Sequence, residues 1–294
     1  MAQNDVPQSP ELPCNIKLAS SASSFLFNVI GRHNDTLYRF LINCFDLKTC
    51  PSKKPINGVK TTDITIDKSR NLWFRIFTPT NTGDDAATAG LPVIFFFHGG
   101  GFVFFAPNSL PFEKFCRGLA RQLSAIIISV NYRLAPGNRY PSQYEDGFDT
   151  LKFIDATELE GFSGNLRQCF LAGDSAGGNM VHHIAVNADW MWKSFLPEGS
   201  NRDHQAANVF GPNSVDISGV KLPSSIIFVG GFDHLQDWQK RYCEGLKKSG
   251  KEAHLVEFPN AFHSFYVFPE LPEFDLLMKE MKDFMQQQLE SSNI

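Results

Sequence analysis

The residues with the most chemistry to offer stand at Gly173-Asp174-Ser175-Ala176-Gly177. The serine sits between a short apolar run, Gln168–Ala172, and a helical stretch, Ala176–Ala188, with glycines on both sides because a turn this tight leaves no room for bulk. Such a strand–turn–helix exposes the hydroxyl of Ser175 as a nucleophile, and the positive N-terminus of the following helix favours an oxyanion beside it. The second pattern is His98-Gly99-Gly100-Gly101-Phe102, directly after the apolar run Val93–Phe97. Consecutive glycines let the backbone turn its N–H groups outward without interference from side chains. The amides of Gly100 and Gly101, with Gly99 and Ala176 beside them, are expected to hold a carbonyl oxygen as it gains charge. A phosphate cradle is the competing use of such a loop, but neither G-x-x-x-x-G-K-[ST] nor G-x-G-x-x-G occurs.

A serine nucleophile needs a base and a group that orients the base, in the order acid then histidine. The run Ser225–Gly230 ends in Gly231-Phe232-Asp233, and Ala253–Phe258 leads into Pro259-Asn260-Ala261-Phe262-His263. Both residues follow the carboxyl ends of buried strands, the edge at which open α/β sheets bind ligands. Asp233 is therefore the expected orienter and His263 the expected base. Asp237 is the alternative acid, though it falls in the first turn of the next helix. His98 is expected to order the glycine loop, and His182 and His183 to pack within a helix. His33, His204, His234 and His254 carry no supporting pattern, and no spacing of histidines and cysteines suggests a metal site.

The elements that must hold these groups alternate along the chain. Thr62–Ile66 and Leu72–Phe77 both alternate with period two around a turn, which predicts an antiparallel hairpin at the start of the sheet. Beyond Leu91, apolar runs at 93–97, 125–130, 168–172, 225–230 and 253–258 alternate with helical stretches at 112–123, 144–156, 176–188, 236–249 and 271–289. That order predicts a mostly parallel, doubly wound α/β sheet. Residues 1–13 read as a disordered lead-in; Ile16–Ile30 and Leu37–Phe45 read as helical, and residues 1–55 together form an N-terminal cap ahead of a catalytic domain over 56–294.

These motifs make the chain resemble a plant carboxylesterase of the hormone-sensitive-lipase-like α/β-hydrolase group, which also contains the gibberellin receptors. The matching stretches are His98–Phe102, Val130-Asn-Tyr-Arg-Leu-Ala-Pro136 with Tyr140-Pro141, Gly173–Asn179, Gly231-Phe-Asp233 and Phe262-His263. The resemblance implies hydrolysis of small carboxylic esters through an acyl-enzyme, with the N-terminal cap over the pocket; dehydration and cyclisation also occur in the group. The receptors of the group lack the catalytic histidine, whereas this chain carries His263. The alternatives are a small-molecule, hormone-like binding protein and a catalytically impaired isoform.

The chain departs from the group in three places. Gly137-Asn138 stands where Glu-His is usual, and His234 stands where a proline usually follows the acid. The third departure is larger. An α/β-hydrolase sheet needs another parallel strand between the helix at 176–188 and the strand before Asp233, with crossovers of about a dozen residues or more. No buried apolar run occupies 189–223, where Val209-Phe210 and Val215-Asp-Ile217 are short and broken by Gly, Pro and Asn. One central strand is thus expected to be missing between residues 188 and 224. By the resemblance, roughly 40 residues are absent, of which a strand accounts for about 5–6.

Bulk composition agrees with a globular enzyme. Hydrophobic residues make up 43% and charged residues 20% of the 294 residues, and the net charge of −4 gives no footprint for nucleic acid or an anionic membrane. No run of about 18 apolar residues would span a bilayer. The polar, proline-rich start has no secretory pattern, and six scattered cysteines fit reduced thiols, so a cytoplasmic chain with access to the nucleus is expected. The 28 phenylalanines point to a large apolar interior or pocket. The expected partner is a small ester, with no cofactor; nothing in the sequence sets an oligomeric state.

Overall fold

A computed structural model of the chain describes residue 13 and residues 35–80, 90–187 and 208–291. The described elements run α1 (Asp35–Phe45), β1 (Val59–Asp67), β2 (Leu72–Pro79), β3 (Leu91–Phe97), α2 (Leu110–Leu123), β4 (Ile126–Asn131), α3 (Ser142–Ala156), β5 (Gly164–Gly173), α4 (Ala176–Asn187), β6 (Ser225–Gly230), α5 (Gln236–Lys248), β7 (Ala253–Phe258), a 3₁₀ turn (Phe265–Val267) and α6 (Pro272–Ser291). Every expected strand and helix from Thr62 onward is present within a few residues of its predicted bounds. The lead-in and Ile16–Ile30 lie outside the described residues. None of the described helices is long and apolar enough to cross a membrane.

The alternating segments form the antiparallel β1–β2 hairpin, with Ile64 opposite Phe74 and Thr62 opposite Ile76. Strand β2 pairs antiparallel with β4, and β3 joins β4 and β5 in parallel, giving the order β1-β2-β4-β3-β5. The all-apolar runs of β3 and β4 sit in the middle of this sheet because both of their faces are covered. On one face Ile94, Phe96 and Ile127 pack against Phe112, Phe115 and Leu119 of α2. On the other, Val93, Phe95, Phe97, Ile126 and Ile128 pack with Ile154 of α3 and Met180 and Ile184 of α4.

The sheet then breaks. Strands β6 and β7 pair in parallel with each other as a separate two-stranded sheet, and neither joins β5. Residues 208–224, which lead into β6, contain turns and no strand; the rest of the expected gap, 189–207, lies outside the described residues. Burial follows the break. Strands β3 and β4 are buried almost throughout, whereas β5 has no fully buried residue and β6 reaches full burial only at Val229 and Gly230. The two sheets still share a core, since Phe258, Ala261, Phe265 and Tyr266 after β7 pack in the same cluster as Phe96, Phe112 and Phe115.

Candidate active site

Ser175 occupies the turn between β5 and α4 with φ of +52°, a left-handed conformation that costs a non-glycine residue energy and recurs at functional sites. Close approach explains the glycine at 177: a Cβ there would run into the carbonyl of Phe97 at the end of β3. Packing of the turn against the neighbouring strand therefore admits only glycine at that point. The amide of Asp174 reaches the Phe97 carbonyl at 3.3 Å, and that of Gly177 closes the turn onto the Asp174 carbonyl at 2.7 Å.

The glycine loop begins at the adjacent end of β3. Gly100 and Gly101 take φ of +111° and +62°, and among the described residues the amides of Gly99, Gly100 and Gly101 donate to no carbonyl. Unpaired N–H groups beside a half-buried nucleophilic serine are what a developing oxyanion requires. His98 is wholly buried, with Nδ1 2.8 Å from the Gly99 carbonyl and its ring stacked 4.3 Å from that of Tyr132. The Tyr132 hydroxyl donates to the His98 carbonyl at 2.7 Å. Burial pushes the His98 imidazole down to about 4, so it is neutral and props the loop. The conformation of the loop thus depends on Tyr132.

Asp233 and His263 meet, although 30 residues separate them. The turn after β6 and the loop after β7 are stitched together, with the Gly231 amide donating to the Phe258 carbonyl and the Phe232 amide to the Ala261 carbonyl, both at 2.9 Å. This brings His263 Nδ1 to 2.9 Å from Asp233 Oδ2. Asp233 also accepts from the Leu235 amide at 2.8 Å and the Gln239 side-chain amide at 3.2 Å. Burial opposes charge on Asp233, but these hydrogen bonds and the imidazole outweigh it and hold the carboxyl below its ordinary value. Burial likewise opposes protonation of His263, yet the hydrogen bond and charge of Asp233, aided by Asp174, hold it above 6.5.

The third link is looser. Among the described residues Ser175 makes no side-chain hydrogen bond, to His263 or to any other group. The serine rides on the five-stranded sheet, and the Asp233–His263 pair on the two-stranded one. A neighbouring contact spans the gap, in which the Ser264 hydroxyl lies 3.4 Å from both carboxylate oxygens of Asp174. Burial raises the Asp174 carboxyl, partly offset by the Tyr266 and Ser264 hydroxyls. Tyr132, Asp174, Gln239 and Ser264 were not singled out by sequence reasoning. Two of them carried a signal, Asp174 as the variable position of the serine motif and Tyr132 within the matching stretch Val130–Pro136. The fold also sets His234 beside His263, ring centroids 4.9 Å apart, a proximity that spacing along the chain did not reveal. Asp237, the alternative acid, falls in the first turn of α5 as expected, and among the described residues the carboxylate hydrogen-bonded to His263 is that of Asp233.

A mostly parallel α/β arrangement with a strained serine turn at the end of one strand, an adjacent glycine loop and an Asp–His pair after the ends of two further parallel strands defines a hydrolase-type scaffold. A family model described as alpha/beta hydrolase fold matches residues 94–189 and 187–267, and the chain belongs to this family. A carboxylesterase family model matches residues 46–138. Gibberellin receptor GID1C of Arabidopsis thaliana is 34% identical over 332 residues, covering 96% of this chain and 96% of the receptor. Carboxylesterase 20 of Arabidopsis thaliana is 26% identical, with 76% of this chain and 85% of that protein covered. A thermostable esterase from Pseudomonas putida superposes with a TM-score of 0.72 at 18% identity, over 96% of this chain and 99% of the esterase, a likeness of fold alone. Two of these findings bear on the break in the sheet. The family model matches in two stretches that meet at residues 187–189, and the receptor alignment is longer than the chain's own 294 residues.

Proposed function

We propose that this chain is a serine carboxylesterase acting on small carboxylic esters, with Ser175 as nucleophile, His263 as base and Asp233 as its orienter. The observation that carries the reading is the Asp233–His263 hydrogen bond of 2.9 Å, formed just past the ends of β6 and β7 as the strained serine and the unpaired loop amides lie just past the ends of β5 and β3. In this mechanism Ser175 Oγ attacks the ester carbonyl while His263 Nε2 takes its proton. The Asp233 carboxylate holds Nδ1–H and stabilises the imidazolium. Amides of Gly100, Gly101 and Ala176 receive the oxyanion, and His263 returns the proton to the departing alcohol. Water, activated by the same histidine, then splits the acyl–Ser175 ester. The serine and histidine must close the remaining distance on binding substrate, as catalytic contacts that are long in the free enzyme do.

Support for the cap reading comes from α1 and the segment after it. Ile42, Phe45 and Leu47 line a cleft of about 260 Å³ with Phe105, Leu110 and Pro111, next to the glycine loop. We therefore assign residues 1–55 as the cap of a hydrolase domain over 56–294.

A second reading, a small-molecule binding protein, is favoured by the receptor that matches along nearly the whole chain. The two part at Ser175. A fluorophosphonate probe is expected to label the wild-type chain and spare Ser175→Ala, and the same substitution is expected to cut p-nitrophenyl acetate hydrolysis by about 10³-fold or more. An unlabelled, inert but folded wild-type chain would favour the binding protein.

A further inference from the structure

Asp233, His234 and His263 each turn a ligand-type atom toward the others, all within 4.8 Å. We infer that these three side chains form a binding site for a divalent transition-metal ion of the zinc or nickel class, and that an ion held there stops the hydrolysis proposed above. The inference rests on the esterase reading only for that last effect; the site itself stands on geometry. Two imidazoles and a carboxylate are the donor set that suits zinc, nickel or copper rather than magnesium or calcium, which want oxygen alone.

The geometry is close to what an ion needs. The two oxygens of Asp233 face different rings, with Oδ2 2.9 Å from His263 Nδ1 and Oδ1 3.8 Å from His234 Nδ1. Bonds of about 2.0–2.2 Å to a tetrahedral zinc place neighbouring ligand atoms about 3.3–3.5 Å apart, so the spacings to His234 must close by up to roughly an ångström while the 2.9 Å Asp233–His263 pair opens slightly. His234 is placed to supply that movement, because its side chain is 73% exposed and, among the described residues, its contacts are the ring of His263 and the distant Asp233 oxygen. Asp233, by contrast, is fixed by the Leu235 and Gln239 amides, which preorients the carboxylate. Exposure rises from 6% at Asp233 to 26% at His263 and 73% at His234, so an ion enters from the solvent side and completes its shell with water. An imidazole that binds a metal cannot also shuttle the serine's proton.

The test uses the full chain and nickel chloride alone as the probe, followed by calorimetry. One ion is expected to bind the wild type, with the dissociation constant at least tenfold weaker in His234→Ala and in Asp233→Asn. The comparison between variants matters because Cys44, Cys50 and Cys169 are exposed thiols that can also take such ions. Equal affinity in wild type and His234→Ala, or no binding up to millimolar nickel, would overturn the site. On p-nitrophenyl acetate, nickel or zinc is expected to inhibit and a chelator to restore the rate. Half-inhibition should need at least tenfold more ion in His234→Ala, scaled to that variant's own metal-free rate. His234-dependent binding without inhibition would refute the inhibitory role. Persistence of hydrolysis in Ser175→Ala would sink the esterase reading while leaving the metal site standing.

Discussion

At the scale of single residues, proton affinities at the sheet edge are opposed in sign. Burial would lower His263, but the hydrogen bond and charge of Asp233 raise it above 6.5, and the pairing in turn lowers Asp233. A general base works only when neutral, so kcat/KM is expected to climb with pH through a midpoint above 6.5, measured with a chelator present. Asp233→Asn removes the stabilising charge, which shifts that midpoint downward, and it loses the hold on the tautomer. A rate loss of about 10³–10⁴ is expected with the shift. A profile flat from pH 5 to 8 would exclude a histidine base. Asp174 is the other residue whose contacts matter, because its carboxylate is the polar link between the serine turn and Ser264, next to His263. Ser264→Ala deletes that link without touching the proposed triad. A several-fold fall in kcat with near-constant KM is expected if the link aligns serine and histidine, and unchanged kcat would show that it does not.

At the scale of elements, the stretch Asn131–Pro136 shows why a motif can be recognised before its work is understood. Tyr132 leaves the end of β4 to buttress the glycine loop, while Arg133 turns to α3. The Arg133 amide and Nε reach Asp146 Oδ2 at 2.8 Å, and Arg70 Nη1 lies 3.4 Å from its other oxygen. Asp146 is fully buried, so removing it takes away the shortest ionic partner of Arg133, which keeps only the 3.2 Å contacts to Glu145 and the Ser142 carbonyl, while Arg70 retains Asp67 and Asp149. Asp146→Ala is expected to cost about 3 kcal/mol, the low end for a broken buried pair, and to lower Tm by roughly 10 °C. A second element-level test separates glycines that packing requires from those it does not. Gly177→Ala drives a methyl into the Phe97 carbonyl and is expected to destabilise by about 1–3 kcal/mol, with loss of esterase activity. Gly219→Ala meets nothing within 4 Å and is expected to melt like the wild type. Similar melting points for the two variants would refute the packing account of the serine turn.

At the scale of the whole molecule, the break between β5 and β6 decides how the chain behaves. A missing strand leaves two outcomes, direct pairing of the Asp233 strand with the Ser175 strand, or an open slot between them. The described strands β5 and β6 do not pair, and the Asp233–His263 contact is held because backbone hydrogen bonds tie the turn after β6 to the loop after β7. Burial is incomplete on both sides of the break, with no fully buried residue in β5 and only Val229 and Gly230 in β6. We propose that a strand carried by longer relatives fills this place. Amide hydrogen exchange is expected to be faster along β5 and β6 than along β3 and β4. Alternate amides of an edge strand lack a partner, each costing about 1–3 kcal/mol when buried unpaired. A form of the chain with the segment restored is expected to melt higher and hydrolyse faster. Equal melting curves and rates would mean that residues 189–207 already supply what the sheet needs.

Local order was legible in the sequence because it depends on short-range rules. Period-two alternation placed β1 and β2, all-apolar runs placed β3 and β4, and glycine spacing around Ser175 and after His98 marked turns that side chains would block. Chain order at strand ends was enough to choose Asp233 and His263, since open α/β sheets collect ligands at one edge. Only tertiary structure could decide the rest, because it depends on which surfaces meet. The neutral role of His98 follows from full burial against Tyr132, and the fixing of Asp233 from amides that approach across a turn. Bringing Ser264 to Asp174 and His234 to His263 required the loops after β5, β6 and β7 to converge. The split sheet is of the same kind, since strand pairing is a contact between segments far apart in the chain, and a missing strand between β5 and β6 does not by itself say whether those two would pair or stay apart.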